Sequence, residues 1–135
     1  MEIKKRHSPK RDAILDNLKN RVDHPIAAMV HESIKEVYPN ISLATVYRNL
    51  NELSNDGKIL SFVSDGVEHF DGNITPHYHF CCNECGNIFD IFDDSVNTVA
   101  ESMISHLNCE ISSMKITATG RCKECINKHS NVVNI

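Results

Sequence analysis

Two pairs of cysteines, each with two residues between its members, constrain this 135-residue chain more than any other feature. The pairs are Cys82 with Cys85 and Cys122 with Cys125. Each pair can chelate a tetrahedral metal through two thiolates on a tight turn, and soft thiolates in this spacing favour zinc or an iron–sulfur cluster. Because a closed set of four cysteines is the usual structural zinc site, the two pairs together predict a four-cysteine zinc centre.

Other interpretations of the cysteines are a disulfide framework and a thiol redox pair. The amino terminus has no apolar stretch that would form a secretory signal, so we expect a cytoplasmic protein with reduced thiols. A thioredoxin-like pair would lie at a helix start after a strand in a βαβ unit, a context that neither pair has. We expect Cys81 and Cys109 to be small buried strand residues, although Cys81 could compete as a ligand.

Charge is distributed unevenly along the chain. The net charge is −4, but residues 1–60 hold ten basic against eight acidic side chains, and residues 61–135 hold four against ten. The first part can therefore meet phosphate while the second binds cations. No segment approaches the roughly 18 consecutive apolar residues of a membrane span, so we expect no membrane partner.

Residues 1–72 are predicted to form a winged helix-turn-helix domain. Three amphipathic helices begin near Ser8-Pro9, at Pro25 and at Ser42, and after Gly57 the apolar period changes from about 3.6 to 2, as in a β-hairpin. On the third helix the positions expected to be buried are Leu43, Val46, Leu50 and Leu53. The positions expected to face outward are Thr45, Arg48, Asn49 and Glu52.

Residues 73–135 are predicted to form a second, small α/β domain after a hinge at 72–76. Strands are expected at 78–82, 87–92 and 110–119, a helix is expected from Ser95, and residues 128–135 are expected to be a tail. The fold class is thus α+β. A unit of about 60 residues cannot build a large core, so this domain should depend on a metal, a partner subunit or both.

Histidines and carboxylates form a second candidate metal site. His77 and His79 lie on one face of a strand because side chains alternate with period 2, and Asp90 is on the strand expected to pair with it. Asp71 precedes the hinge, and His24 precedes the second helix. Each of these residues could instead be a helix cap, a turn residue or a surface residue.

Taken together, the motifs of this chain resemble those of the ferric uptake regulator (Fur) family and, within it, of the peroxide-sensing PerR branch. The matching motifs are Ser42 to Leu50 (SLATVYRNL), His77-Tyr-His79, Cys82-x-x-Cys85-Gly and Cys122-x-x-Cys125, and the resemblance extends from Ser8 to Cys125. It implies a homodimeric, metal-dependent repressor that binds double-stranded operator DNA, with the second domain mediating dimerisation. It assigns structural zinc to the four paired cysteines and leaves Cys81 outside.

The same resemblance implies a regulatory site for Fe²⁺ or Mn²⁺, ions that suit mixed imidazole and carboxylate ligands. The implied ligands are His24, Asp71, His77, His79 and Asp90. Peroxide sensors of the family carry aspartate at the position of Asp90, whereas iron sensors tend to carry glutamate. The resemblance therefore implies that ligated Fe²⁺ reacts with hydrogen peroxide and that His24 or His77 is oxidised. An iron-responsive or a zinc-responsive (Zur-like) repressor is the alternative within the family.

For DNA, the candidate contacts combine the third helix with the basic first helix. They are Lys10, Arg11, Thr45, Tyr47, Arg48 and Asn49. Arginine pairs well with guanine and asparagine with adenine. Members of the family usually carry an additional helix before the position of Ser8. Here only seven residues precede Ser8, and Lys4, Lys5 and Arg6 are expected to replace part of that helix.

Non-regulatory functions are less well supported by the sequence. No H-E-x-x-H helix and no nucleophile elbow is present, so a metallohydrolase or a thiol redox enzyme lacks a motif, and we expect no enzyme. A zinc-ribbon interaction module would leave the outward face of the third helix, Thr45 to Asn49, without a role.

Overall fold

A computed structural model describes residues 8–112 and 114–133, with side chains described as far as residue 128. The chain divides into two compact units, Met1–Ile74 and Thr75–Ile135. The predicted helix substitute at Lys4, Lys5 and Arg6 lies outside the described residues. Among the described helices, none combines the length and the apolar composition that crossing a bilayer requires.

The first unit contains three helices followed by a two-stranded hairpin, which confirms the predicted winged helix-turn-helix fold. The helices are α1 (Pro9–Lys19), α2 (Ala27–Ile34) and α3 (Leu43–Asn55). Serine caps two of these helices, because the Ser8 hydroxyl accepts the Arg11 N–H at 3.2 Å and the Ser42 hydroxyl accepts the Thr45 N–H at 3.1 Å.

Helix α2 is shorter than the apolar periodicity predicts. It starts two residues after Pro25 and ends at Ile34. Pro39 follows soon after, and a proline disfavours helical backbone at the residue before it, here Tyr38. Val37 therefore lies in the following turn and is 65% exposed. Leu43, expected to be buried, is also exposed because it is the first residue of α3 and has no preceding turn to pack it inward.

The hairpin consists of β1 (Leu60–Ser64) and β2 (Val67–Asp71), paired antiparallel. Asp65 and Gly66 connect the strands with φ values of +53° and +76°, as a tight hairpin turn of the right twist requires. The hydrophobic core of this unit draws on all three helices and the hairpin; its buried members are Ile14, Leu18, Val30, Ile34, Ile41, Val46, Leu50, Leu53, Ile59 and Phe70.

The second unit is a three-stranded sheet with two helices. Its elements are β3 (Tyr78–Cys82), β4 (Ile88–Ile91), α4 (Ser95–Leu107), β5 (Thr117–Gly120) and α5 (Lys123–Val133). The strand order is β4-β3-β5, with β3 antiparallel to β4 and parallel to β5. The predicted α/β character of this unit is thereby confirmed. Its buried cluster is small and consists of Cys82, Cys122 and Cys125 with Phe80 packed against them.

Three details of the second unit differ from the sequence-based predictions. The strand expected at 110–119 is confined to Thr117–Gly120, the part that pairs with β3, and Cys109 lies outside any strand. The expected tail is helical as far as Val133 in α5, and residues 134–135 lie outside the described chain. The apolar stripe of α4 is largely uncovered, since Leu107 is 72% exposed and only Val96 is buried.

Candidate metal centres

Four cysteines converge in the second unit, where the turn after β3 carries the first C-x-x-C pair and the start of α5 carries the second. The expectation that neither pair lies at a helix start after a strand is wrong for Cys122 and Cys125, since α5 follows β5 directly. The Sγ atoms of Cys82 and Cys125 are 3.6 Å apart, those of Cys85 and Cys122 are 3.8 Å apart, and none of these cysteines forms a disulfide. A tetrahedral ion with Zn–S bonds of about 2.3 Å places its sulfur ligands about 3.8 Å from one another. The cluster therefore has the dimensions of a four-cysteine zinc site.

The surroundings of the cluster lower the pKa of one cysteine thiol, Cys82, and raise the pKa of two others, Cys85 and Cys125. Backbone N–H groups of Cys85 and Cys122 donate to the Cys82 sulfur and lower the pKa of that thiol to about 6. Burial is the main cause that raises the pKa of the Cys125 thiol, so a charged Cys125 needs a cation beside it. Gly86, with φ of +76°, supplies the turn that returns the chain from the first pair into β4.

A second convergence in the same unit joins two imidazoles and one carboxylate. His79 and Asp90 are direct cross-strand partners in β3 and β4, and His77 precedes β3 on the same face as His79. The Nε2 atoms of His77 and His79 are 3.0 Å apart, and Asp90 Oδ1 lies 3.3 Å from the first and 3.2 Å from the second. The structure thus brings together the ligand atoms of the three residues that strand alternation and strand pairing predicted to lie on one face.

These separations fit adjacent ligands of one octahedral ion. With metal–ligand bonds of about 2.1 Å, ligands at a right angle are about 3.0 Å apart. Two histidines and one carboxylate on one side of an ion form the facial triad typical of non-haem Fe²⁺, which leaves positions for further ligands. The donor set therefore fits Fe²⁺ or Mn²⁺ better than a structural zinc ion.

Two supports of this triad could not be found from sequence spacing. The Nδ1–H of His77 donates to the Thr75 carbonyl at 2.6 Å, which leaves the lone pair on Nε2, the atom facing the carboxylate. The Phe92 ring stacks on the His77 imidazole with centroids 4.6 Å apart. Together they fix the tautomer and the orientation of the ring.

His24 and Asp71, the other two predicted ligands, form a pair within the first unit. His24 Nε2 lies 3.6 Å from Asp71 Oδ2, and both residues are buried. The second oxygen of Asp71 accepts the backbone N–H of Asn73 at 2.9 Å. A buried imidazole and a buried carboxylate at this distance are a ready pair of metal ligands.

The predicted DNA-contacting residues of α3 divide into two groups. Tyr47 and Arg48 are exposed and Thr45 is half-buried. Asn49 was predicted to face outward, and that prediction is wrong, since the residue is only 4% exposed. Its side-chain oxygen accepts the Arg11 Nε–H at 3.1 Å, and its amide donates to the Thr45 carbonyl at 2.9 Å.

The two basic residues predicted on α1 also differ in their surroundings. Lys10 is exposed, with its ammonium 6.0 Å from the centre of the Tyr38 ring. The Arg11 guanidinium is half-buried and forms an ion pair with Glu52 besides its bond to Asn49. Arg11 thus links α1 to α3.

Comparison with known proteins identifies the group to which these sites belong. The chain is 32% identical over 128 residues to the peroxide operon regulator of Bacillus subtilis, covering 93% of this chain and 88% of that protein. It is 33% identical over 125 residues to the peroxide-responsive repressor PerR of Staphylococcus aureus, covering 91% and 84%. The crystal structure of the Campylobacter jejuni peroxide stress regulator superposes with a TM-score of 0.72 at 31% identity, covering 87% and 89%. Since the model of the ferric uptake regulator family also matches residues 2–119, this chain belongs to that family.

Proposed function

We propose that this protein is a DNA-binding repressor in the cytoplasm that senses peroxide through a bound Fe²⁺ ion. As a member of the ferric uptake regulator family it is a metal-responsive transcription regulator and not an enzyme. The observation that carries the proposal is the triad of His77, His79 and Asp90, because its donor set suits a redox-active ion. The names of the relatives, which refer to peroxide response, support the same conclusion.

The regulatory ion is proposed to take ligands from both sides of the segment 72–76. The triad of the second unit provides three ligand atoms, and His24 with Asp71 in the first unit provides two more. An ion held by all five would fix the angle between the DNA-binding unit and the second unit. Couplings of this kind are typically about 1–3 kcal/mol, or about 5- to 150-fold in affinity, and operator DNA should tighten metal binding reciprocally.

The DNA-binding element is proposed to be α3, lying in the major groove as the recognition helix of a winged helix-turn-helix. Tyr47 and Arg48 are exposed on this helix, with Thr45 beside them and Lys10 available on α1 for phosphate. A dimer would present two such helices to half-sites about 34–36 Å apart. The proposed dimer surface includes the uncovered apolar side chains of α4 and β4, which a monomer would leave in water.

Sensing is proposed to be a single chemical event rather than turnover. Bound Fe²⁺ supplies the one-electron chemistry with hydrogen peroxide that attacks a ligand imidazole. In net terms, one peroxide oxygen replaces the ring C–H hydrogen of His24 or His77 as a carbonyl, and the other oxygen leaves as water. The oxidised ring is a poorer ligand, so metal and DNA are released.

The test loads the purified protein with Fe²⁺ or with Mn²⁺ under anaerobic conditions, adds low hydrogen peroxide, and measures operator binding and peptide masses. We expect the iron form alone to lose DNA binding and to gain one oxygen on His24 or His77. His106, an exposed histidine of α4 outside the proposed ligand set, is the internal control and should stay unmodified. If both metal forms keep binding DNA with intact histidines, the peroxide-sensing proposal fails and an iron-responsive repressor becomes the better description.

A further inference from the structure

His69, in β2 of the first unit, is a histidine outside the proposed ligand set that contacts one of its members. Its Nδ1 atom lies 2.7 Å from the backbone carbonyl oxygen of His24. A carbonyl only accepts, so the Nδ1 of His69 carries the proton and donates. We infer that His69 is a positioning residue that holds the His24 ligand in place for the metal, an inference that rests on the proposed function.

The backbone at His24 explains why this residue needs to be held. His24 has φ of +49°, in the left-handed region that residues with a side chain rarely adopt. Pro25 follows it, and the residue before a proline is biased towards extended conformations. Such a conformation persists only when its surroundings impose it. The bond from His69 acts on the carbonyl of this residue, and the neighbouring Phe70 N–H donates to the Pro25 carbonyl at 2.9 Å.

The ring of His69 is itself fixed by Phe62. The two residues are direct partners across the hairpin, and their rings stack with centroids 5.6 Å apart and an interplanar angle of 16°. The His24 imidazole meets the same Phe62 ring edge to face, at 5.9 Å and 74°. One aromatic ring therefore orients both the ligand and the residue that holds its backbone.

Strand β2 also carries Asp71, two residues after His69. Side chains at this spacing share one face of a strand, so the carboxylate ligand and the positioning residue have a fixed separation. The distance of 3.6 Å between His24 Nε2 and Asp71 Oδ2 thus depends on the bond between His69 and His24. Groups that orient a metal ligand typically change metal affinity by roughly 10- to 100-fold when they are lost.

Two substitutions of similar size and polarity separate the hydrogen bond from other effects. In His69→Asn the amide nitrogen takes the position of Nδ1 and can still donate to the His24 carbonyl, whereas in His69→Gln it reaches the position of Nε2. Mn²⁺ affinity is measured by calorimetry on the zinc-loaded full chain. We expect a loss of roughly 10- to 100-fold for His69→Gln and near wild-type affinity for His69→Asn.

Two further measurements make the result specific. The melting temperature without Mn²⁺ should be similar for the two variants, which separates positioning from a loss of folding. NMR should detect the Nδ1–H tautomer of His69 in the wild type and a changed amide-to-Hα coupling of His24 in His69→Gln alone. Where His24→Ala loses Mn²⁺ affinity, equal Mn²⁺ affinity of His69→Gln and wild type would overturn the inference.

The variant His24→Ala distinguishes this inference from the proposed function. If His24→Ala binds Mn²⁺ as tightly as the wild type, His24 is no ligand and that part of the proposed function fails. The His24 coupling in His69→Gln then decides the positioning role alone: a changed coupling supports it, and an unchanged coupling overturns it.

Discussion

Asn49 lies on the side of α3 that faces α1, and both ends of its amide are engaged. Its oxygen accepts from Arg11, and its nitrogen donates to the Thr45 carbonyl one turn earlier. Arg11 in turn pairs with Glu52, also on α3. We therefore expect Asn49 to set the position of the proposed recognition helix rather than to read a base.

Replacing Asn49 by alanine tests that role. The change removes two hydrogen bonds at a buried position, and we expect Asn49→Ala to lower the free energy of unfolding by about 1–3 kcal/mol. Operator affinity should fall by a similar factor for every operator sequence, as measured by fluorescence anisotropy on a panel of single base-pair changes. Arg48→Ala is the control, because an exposed arginine that reads guanine should relax specificity at one position. A specificity change confined to one base pair in Asn49→Ala would contradict the positioning role.

Gly72 follows Asp71 and packs against the end of α1. A Cβ atom at this position would lie 2.6 Å from the Leu18 carbonyl oxygen and 2.8 Å from the Lys19 nitrogen. Both neighbours are backbone atoms of a helix, so they cannot move aside as a flexible side chain would. The constraint is one of space, since the glycine has no left-handed φ.

We therefore expect Gly72→Ala to destabilise the first unit by about 1–3 kcal/mol, the usual cost of overpacking. Urea-induced unfolding followed by circular dichroism measures the change. Gly120→Ala is the matched control, because its Cβ would meet the Phe80 ring at an ordinary 3.5 Å. Equal stabilities of the two variants would show that the close approach to Leu18 carries no energetic cost.

Between elements, a polar pair at the surface joins the hairpin to α3, besides the Ser54–Ser61 hydroxyl contact of 3.1 Å. The Tyr47 hydroxyl donates to Glu68 Oε2 at 3.1 Å, which connects α3 to β2. The carboxylate that orients Tyr47 also places a negative charge beside the helix proposed to approach phosphate. The hydrogen bond from Tyr47 to Glu68 should favour DNA binding by orienting Tyr47, whereas the charge of Glu68 should weaken DNA binding by repelling phosphate.

Glu68→Gln separates the two effects, because glutamine keeps an oxygen that accepts from Tyr47 and removes the charge. We expect tighter operator binding at low salt and a difference that diminishes as salt is raised, since exposed charges are screened beyond about 10 Å at 0.1 M. Glu32→Gln changes the net charge equally from α2, where Glu32 pairs with Lys35, and serves as the control. An equal gain in both variants would mean that net charge alone is responsible.

The features that could be predicted from the sequence are those determined by residues close to one another in the chain. The triad of His77, His79 and Asp90 was predictable because strand alternation and a short hairpin bring near neighbours together. The inward side of Asn49 was not, because it is set by Arg11, 38 residues away. Helix α5 was missed because its carboxyl-terminal part is largely polar, and β5 was overextended because only residues facing β3 gain ladder bonds.

At the scale of the whole molecule, the two units differ in how they are stabilised. Among its described residues, the first has a core of ten buried apolar side chains. In the second, the buried cluster consists of three cysteines with Phe80 beside them, and two of these cysteines flank the start of α5. Zinc binding and folding should therefore be coupled in the second unit, whereas the first unit should fold without zinc.

Cys122→Ser tests that coupling. Losing one of four thiolates should release zinc, and because structural zinc contributes folding energy directly, the second unit should lose its sheet and its dimer surface. The first unit should keep its helices and its cooperative unfolding. The measurements are zinc content, sedimentation for the oligomeric state, and circular dichroism. Cys109→Ser is the matched control, because Cys109 lies outside the cluster, and it should remain zinc-loaded and dimeric. A folded, dimeric and zinc-free Cys122→Ser protein would mean that the apolar contacts of the second unit suffice without the metal.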